Sequence, residues 1–393
     1  MKAIVPLFAA LALALAPIGH AAASAKDPHA RSAASAKAKA KKAKAAAKSG
    51  KRVSIKSTRV LKAAPSAAVI DYDGEHHNFL EWQAVRGFID EMATQHGFER
   101  AYLESLFGQT RFIDSAVQLV KPAPPGKPKN WQAYRDRFIE PIRIAAGVRF
   151  WNENAEALAR AEAAYGVPAE IIVGIIGVET IYGRDTGKFR VFDTLATLAF
   201  AYPETPNRDS RMAFFRSELA NTLLFAREHK VEPFSLLGSF AGAVGMPQFM
   251  PGSILKYGVD FNNDGQIDLR NSPEDAIGSV ANFLVQHGWK PEYRGNPATP
   301  VDVSPNRAWE PLLERGLAAT LRPEELRAAG VTSADALPAE RLYGLVDLQN
   351  GAEATEYWVA NDNFFAITKY NRSYFYAMSV IELGRAVRAS RGG

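Results

Sequence analysis

The residue in this chain best suited to acid chemistry is Glu179. It ends an almost wholly apolar run, Val167-Pro168-Ala169-Glu170-Ile171-Ile172-Val173-Gly174-Ile175-Ile176-Gly177-Val178, and is followed by Thr180-Ile181-Tyr182-Gly183-Arg184. A carboxyl group in apolar surroundings is costly to ionise, so its pKa rises and it can hold a proton near neutral pH, as a general acid must. The negative end of a helix dipole pushes the same way. Gly183 stands where a left-handed residue would stop the helix, which puts Glu179 in the last turn. On this helix alone, pairing of Glu179 with Arg184 or capping of a neighbouring element is an equal alternative.

Asp260-Phe261-Asn262-Asn263-Asp264-Gly265-Gln266-Ile267-Asp268-Leu269-Arg270-Asn271 has oxygen side chains at positions one, three and five, glycine at six and an aliphatic residue at eight. That is the spacing of an EF-hand-type calcium loop. Position twelve should be a bidentate glutamate and is Asn271, so a carboxylate has to come from elsewhere. Asp275 could reach back to the ion, or serve as the capping partner of Ser272. An Asx-rich turn without metal is the alternative. The segment Ser239 to Pro251 interleaves small residues and glycines with Gln248, which suits close backbone approach to a sugar or a tight corner between helices. Tyr370-Asn371-Arg372-Ser373-Tyr374-Phe375-Tyr376 adds aromatics that line a cleft or fill a seam.

The elements that must position these residues are mostly helical. Helix-period apolar residues run through Phe79–Met92 with Asn78 as cap, Tyr102–Phe107, Trp131–Phe138, one long helix from about Phe150 to Tyr165, Ser210–His229 and Ser373–Arg388. Leu342–Leu348, Asn350-Gly351 and Ala354–Val359 read as a β-hairpin with its turn at Asn350-Gly351. The expected class is mainly α (α+β).

The chain has 393 residues, 47% hydrophobic and 23% charged, enough for a large core. Met1-Lys2, the apolar run to Pro17 and His20-Ala21-Ala22-Ala23 form a signal-peptide pattern over 1–23, too short to span a bilayer. Residues 26–62 hold 13 Lys and Arg against Asp27; this segment contributes +12 to the net +5 and Lys2 another +1, leaving −8 for residues 63–393. The 24–75 stretch reads as a solvated Ala/Lys-rich linker, either an inert spacer or a segment that lies along an anionic envelope surface. Nucleic acid is not an expected partner, because the rest of the chain has no comparable basic stripe. The absence of cysteine removes both disulfides and lipid acylation. A soluble periplasmic protein with no transmembrane segment is expected.

Taken together, Tyr165-Gly166-Val167-Pro168, Gly177-Val178-Glu179-Thr180 with Tyr182-Gly183, Gly242-Ala243 to Gly245, Gln248-Phe249-Met250-Pro251, the Asp260 loop, Asp275 to Asn282 with His287-Gly288-Trp289, and Tyr370-Asn371-Arg372-Ser373 resemble the lytic murein transglycosylase B family. The resemblance covers most of residues 76–390. It implies a lysozyme-like catalytic core (151–293) with a flanking helical lobe (76–150), a small α/β insert (294–360) and a C-terminal segment (361–393) that closes the cleft. It also implies cleavage of the bond between N-acetylmuramic acid and N-acetylglucosamine in peptidoglycan, without water, to a 1,6-anhydro product. Glu179 would be the sole acid and base. Ser239, Gln248, Phe249, Tyr134, Tyr370 and Tyr376 would meet the sugar. Asp260, Asn262, Asp264, the Gln266 carbonyl and Asp275 would hold a structural Ca2+, with no organic cofactor.

Three departures accompany the resemblance. The lipobox cysteine of membrane-bound members is missing, Phe283 stands where a cleft tyrosine is expected, and residues 204–209 lengthen a loop. The rival functions are a hydrolytic muramidase using the same cleft and a non-catalytic peptidoglycan-binding protein.

Overall fold

The apolar run that carries Glu179 folds as the helix Ala169–Thr180, with Ile171, Ile172, Val173, Ile175, Ile176 and Val178 all buried. A helix apolar all round is a core helix or a membrane span, and this one, 12 residues long, is enclosed on several sides by other helices. Pro141–Glu153, Ala155–Tyr165, Pro273–Gln286 and Tyr374–Arg391 pack against it. The computed structural model describes residues 78–122 and 128–392. The expected signal segment 1–23 and linker 24–75 lie outside the described residues.

The expected class, mainly α with a small β part, is the observed one. Asn78 caps a short 3-10 turn, Phe79–Glu81, by accepting from the Leu80 amide at 3.2 Å, and the helices Gln83–His96 and Arg100–Gln109 follow. The single long helix expected to Tyr165 is two helices. Pro141–Glu153 and Ala155–Tyr165 meet at Asn154, which leaves helical geometry and folds its side-chain amide onto the Phe150 carbonyl at 2.8 Å. Arg208–Glu228 forms the amphipathic helix, with Met212, Phe215, Leu219 and Leu223 buried. Among the described residues no single helix is long and apolar enough to cross a membrane.

A four-stranded antiparallel sheet has the order Val331–Thr332, Ala298–Val303, Glu353–Ala360, Gly344–Asn350. Trp309, Leu321, Leu326, Val331, Tyr343, Leu345 and Val359 form a small core beside it. The predicted hairpin is present, but its turn is Gly351-Ala352. Asn350 stays in the strand opposite Glu353, and its side-chain oxygen accepts from the Gln132 amide at 2.9 Å. That long-range partner overrides the local turn preference. A second, two-stranded ladder joins Phe189–Arg190 to Leu237–Gly238.

The crossing of Ala169–Thr180 with the C-terminal helix Tyr374–Arg391 matters most for the site. A Cβ on Gly174 would collide with the Val380 carbonyl, and one on Gly384 with the Glu170 carbonyl. Glycine on both helices is what lets the backbones touch. Gly174→Ala is therefore expected to destabilise the protein by about 1–3 kcal/mol, despite the better helix propensity of alanine. Urea unfolding of the variant checks this.

Candidate active site

The helix carrying Glu179 stops at Thr180, and the left-handed stop falls on Ile181 (φ 51°) instead of Gly183, with Tyr182 (φ 58°) and Gly183 (φ 86°) continuing in the same region. Two non-glycine residues there cost on the order of 1–3 kcal/mol each, so the surroundings must over-determine the turn. They do so in three ways. Tyr182 packs into the space left by Gly147 and Gly177 and lies 5.2 Å from the Phe150 ring. Thr180 Oγ1 accepts from the Gly183 amide at 3.0 Å. Arg143 Nη1 donates to the Gly177 carbonyl at 2.6 Å, a second donor beside the Ile181 amide at 3.2 Å, which pins the last turn.

Glu179 is half-buried in the last turn. Arg184 is exposed, and the partner the structure gives Glu179 is Tyr376, whose hydroxyl donates to Oε1 at 2.6 Å. Loss of solvent raises the Glu179 pKa from 4.5 to about 7, against a smaller lowering by the Tyr376 hydrogen bond. Tyr376 stacks on Tyr370, with rings 6.2 Å apart and 15° from parallel, and the Tyr370 hydroxyl donates to the Pro247 carbonyl at 2.7 Å. Burial and the charge on Glu179 hold both phenols well above their usual pKa and push Tyr134 to about 12. Three of the aromatic residues singled out in the sequence therefore share one electrostatic environment with the carboxyl group. Tyr134 is half-buried among Phe138, Phe375 and Trp131.

The remaining predicted sugar contacts lie in the Ser239–Pro251 segment. Ser239 Oγ accepts from the amides of Ala241 (3.3 Å) and Ala243 (3.1 Å), an arrangement that shapes the loop. Gln248 has φ 51°, and its side-chain amide donates to Gly245 O (2.9 Å) and Thr186 O (3.3 Å). Its carbonyl oxygen is the part with capacity for a further partner. Phe249 is only 2% exposed and packs on Phe283 and Tyr370, which makes it a support for Tyr370. Phe283 lies 4.7 Å from the Tyr370 ring and adds to the same support.

In the Asp260 loop, the Asp264 amide donates to both Asp260 Oδ1 (3.1 Å) and Asn262 Oδ1 (3.0 Å), and the Gly265 amide to Asp260 Oδ2 (2.8 Å). Asp260, Asn262 and Asp264 thus converge with oxygen donors of the kind a hard cation takes. Asp275 does reach back, but onto backbone. Its oxygens accept from the amides of Phe261 (2.9 Å), Asn262 (3.3 Å) and Asp268 (2.9 Å), while its own amide donates to Ser272 Oγ at 3.2 Å. Asp275, expected as the missing ligand, thus reaches the loop through three backbone amides that occupy most of its acceptor capacity. Asn271, at position twelve, bonds Asp268 instead. Among the described residues no three His, Cys, Asp or Glu side chains form a ready metal cage.

Thr180, Arg143 and the carbonyls of Met246 and Pro247 complete the surroundings of Glu179, and none was singled out as a site residue in the sequence. Only Thr180 had a local signal, its place next to Glu179. The others come from segments whose approach is fixed by tertiary packing.

A protonatable carboxyl group at a helix end, flanked by tyrosines and set in a mainly helical lysozyme-like core, belongs to the class of glycan-cleaving enzymes. The Transglycosylase SLT domain pattern matches residues 81–385. The membrane-bound lytic murein transglycosylase B of Escherichia coli (strain K12) is 44% identical over 313 residues, 77% of this chain and 82% of that protein. The Escherichia coli lytic transglycosylase Slt35 in complex with calcium is 41% identical with a TM-score of 0.71, covering 81% of this chain and 96% of that one. SltB3 from Pseudomonas aeruginosa, in complex with NAG-anhNAM-pentapeptide, is 27% identical with a TM-score of 0.66, covering 79% and 80%. The chain belongs to the Transglycosylase SLT domain family and is a peptidoglycan-cleaving lytic transglycosylase.

The raised Glu179 pKa makes a stability prediction. The folded value lies above the unfolded one, so the neutral carboxyl group is tolerated below about pH 4.5, and stability is lost as pH rises from there through about 7. Glu179→Gln removes that loss. Its stability relative to the wild type should be constant below about pH 4.5 and rise by up to about 3 kcal/mol by pH 7, with no further change above. Denaturant unfolding of both proteins across pH 4–8 checks this.

Proposed function

We propose that Glu179 is the only acid and base of the reaction. Protonated Glu179 gives its proton to the oxygen linking N-acetylmuramic acid to N-acetylglucosamine, and that C–O bond breaks. The resulting carboxylate then takes the proton of the muramoyl C6 hydroxyl as its oxygen bonds to C1. The product is a 1,6-anhydro sugar, no water is consumed, and Glu179 ends in the protonation state in which it began. The observation that carries this reading is a carboxyl group poised near pH 7 by burial, with a tyrosine hydroxyl as its hydrogen-bond partner. One group can act in both directions most effectively when its pKa lies near the working pH.

A two-carboxylate mechanism needs a second acid or nucleophile within reach. Among the described residues, the buried acids have other engagements. Asp193 is paired with Arg190 at 2.7 Å, Glu218 accepts from the Gly252 amide at 2.7 Å, Asp275 accepts from three loop amides, and the half-buried Glu382 is paired with Arg135. The bound fragment of the SltB3 complex, NAG-anhNAM-pentapeptide, has the anhydro chemistry of the proposed product. Tyr134, Tyr370, Ser239 and Gln248 would form the sugar-binding surroundings, with Tyr376, as buried as Phe249, holding Glu179 and Phe249 supporting Tyr370. The signal-peptide pattern of residues 1–23 supports action in the periplasm. Association of the Lys-rich segment with an anionic envelope surface would be electrostatic.

A structural Ca2+ in the Asp260 loop fits the donor set in kind. Asp260, Asn262, Asp264 and the Gln266 carbonyl would hold it, and Asp275 would brace the loop through its amides. The ion would neutralise clustered carboxylates and staple the loop that hydrogen-bonds Met246 through the Leu269 carbonyl at 2.7 Å. The calcium complex of Slt35 supports this reading.

Mass spectrometry of soluble fragments released from purified peptidoglycan by the wild type and Glu179→Gln tests the reaction. Fragments ending in 1,6-anhydromuramic acid, absent with the variant, are expected. Reducing ends heavier by one water would establish a hydrolase, and no fragments from either protein would favour glycan binding alone. For the loop, millimolar Ca2+ should raise the thermal midpoint of the wild type, and Asp264→Ala should abolish the rise. Equal midpoints with Ca2+ and with a chelator would remove the metal from the account.

A further inference from the structure

Thr180 is fully buried, and its hydroxyl does something unusual for a helical threonine. Such hydroxyls ordinarily return their proton to a carbonyl one turn earlier. Here the Ile176 carbonyl is 3.4 Å away, while the Met246 carbonyl, from a separate segment, is at 2.8 Å. The single proton goes to the shorter contact, and the oxygen accepts from the Gly183 amide at 3.0 Å.

Met246 is bonded to Pro247, whose carbonyl accepts from Tyr370, and Tyr370 stacks on Tyr376, which donates to Glu179. Glu179 is bonded to Thr180. The contacts therefore close a ring: Glu179, Tyr376, Tyr370, Pro247, Met246, Thr180 and back to Glu179. On its outer side Met246 is anchored by its own amide to the Leu269 carbonyl at 2.7 Å. Tyr370 and Tyr376 come from the end of the chain and Met246 from the glycine-rich loop; without the Thr180 hydroxyl the loop would keep its tie to the aromatic pair and, through Gln248, to Thr186, but would lose its hydrogen bond to the last helical residue.

We propose that Thr180 is a positioning residue for Glu179: its hydroxyl fixes the end of the helix to the Met246–Pro247 peptide and so holds the carboxyl group against Tyr376. The inference rests on the reading of Glu179 as acid and base. Thr180 itself touches neither substrate nor reacting atoms. Its effect is on geometry, so removing the hydroxyl should slow the chemical step and leave glycan affinity nearly intact. A loosened Tyr376 contact also removes an interaction that favours the carboxylate, so the pH at which Glu179 loses its proton should move up.

The experiment compares the mature wild type with Thr180→Val, Thr180→Ser and Glu179→Gln on soluble peptidoglycan oligosaccharides. It measures kcat, KM, the pH profile of kcat/KM and the thermal midpoint. Thr180→Val keeps the branched shape without the hydroxyl, and its kcat is expected to fall by about ten- to a hundredfold, with KM within about twofold, at temperatures well below unfolding. Its alkaline limb should move to higher pH, and Thr180→Ser should restore both properties. Wild-type kcat in folded Thr180→Val overturns the inference, as does a loss that Thr180→Ser fails to rescue or one confined to KM or the thermal midpoint. An inactive Glu179→Gln beside a fully active Thr180→Val overturns the positioning role alone. An active Glu179→Gln overturns both it and the reading on which it rests.

Discussion

The site depends on a balance at one oxygen atom. Desolvation drives the Glu179 carboxyl group toward its neutral form, and the Tyr376 hydroxyl pulls it back toward the carboxylate, leaving a pKa of about 7. Asp193 shows what a different balance does. It too is fully buried, and burial raises its pKa as well, but Arg190 lies 2.7 Å away and the Arg111 amide donates to it, and both oppose that rise, so it is engaged as a structural ion pair. A neutral hydroxyl partner in place of a cation separates the two carboxylates in function.

That balance has an energetic cost met by packing. Raising the Glu179 pKa from 4.5 to about 7 costs about 3 kcal/mol at neutral pH. Ile171, Ile172, Ile175 and Ile176, each no more than 2% exposed, contribute roughly 1.5–3 kcal/mol each by burial. The same apolar helix that makes ionisation costly therefore supplies more than enough stability to carry it. The glycine contacts at Gly174 and Gly384 bring the C-terminal helix close, and that helix delivers Tyr376 to the carboxyl group. The left-handed turn at Ile181 and Tyr182 is a second strained feature at the same place, held by Arg143, Thr180 and the packing of Tyr182.

Much of this was legible in the sequence because the signals were local. An apolar helix ending in one glutamate singles out a candidate acid, with the family resemblance deciding between that role and pairing with Arg184, and the oxygen spacing of the Asp260 loop identifies a turn built for clustered carboxylates. What escaped was set by distant partners. Asn350 left its expected turn because Gln132 bonds its side chain. The helix stop moved from Gly183 to Ile181 because surrounding contacts hold strain that propensity alone would forbid. Asp275 gave its oxygens to three loop amides, an outcome that depends on how closely the loop folds back on the helix. Phe249 was an expected sugar contact through the family resemblance, and its burial against Tyr370 makes it a support. Spacing reports which chemistry is available; tertiary approach decides which atoms are left free to perform it.

The most direct test of the account is to titrate Glu179 itself. Infrared difference spectroscopy of the wild type against Glu179→Gln, across pH 4–9, isolates the carbonyl stretch of its protonated carboxyl group. The account predicts a band that disappears with a midpoint near about 7. A midpoint close to the ordinary 4.5 would mean that the carboxyl group is ionised at neutral pH, and the single acid and base reading would fall with it.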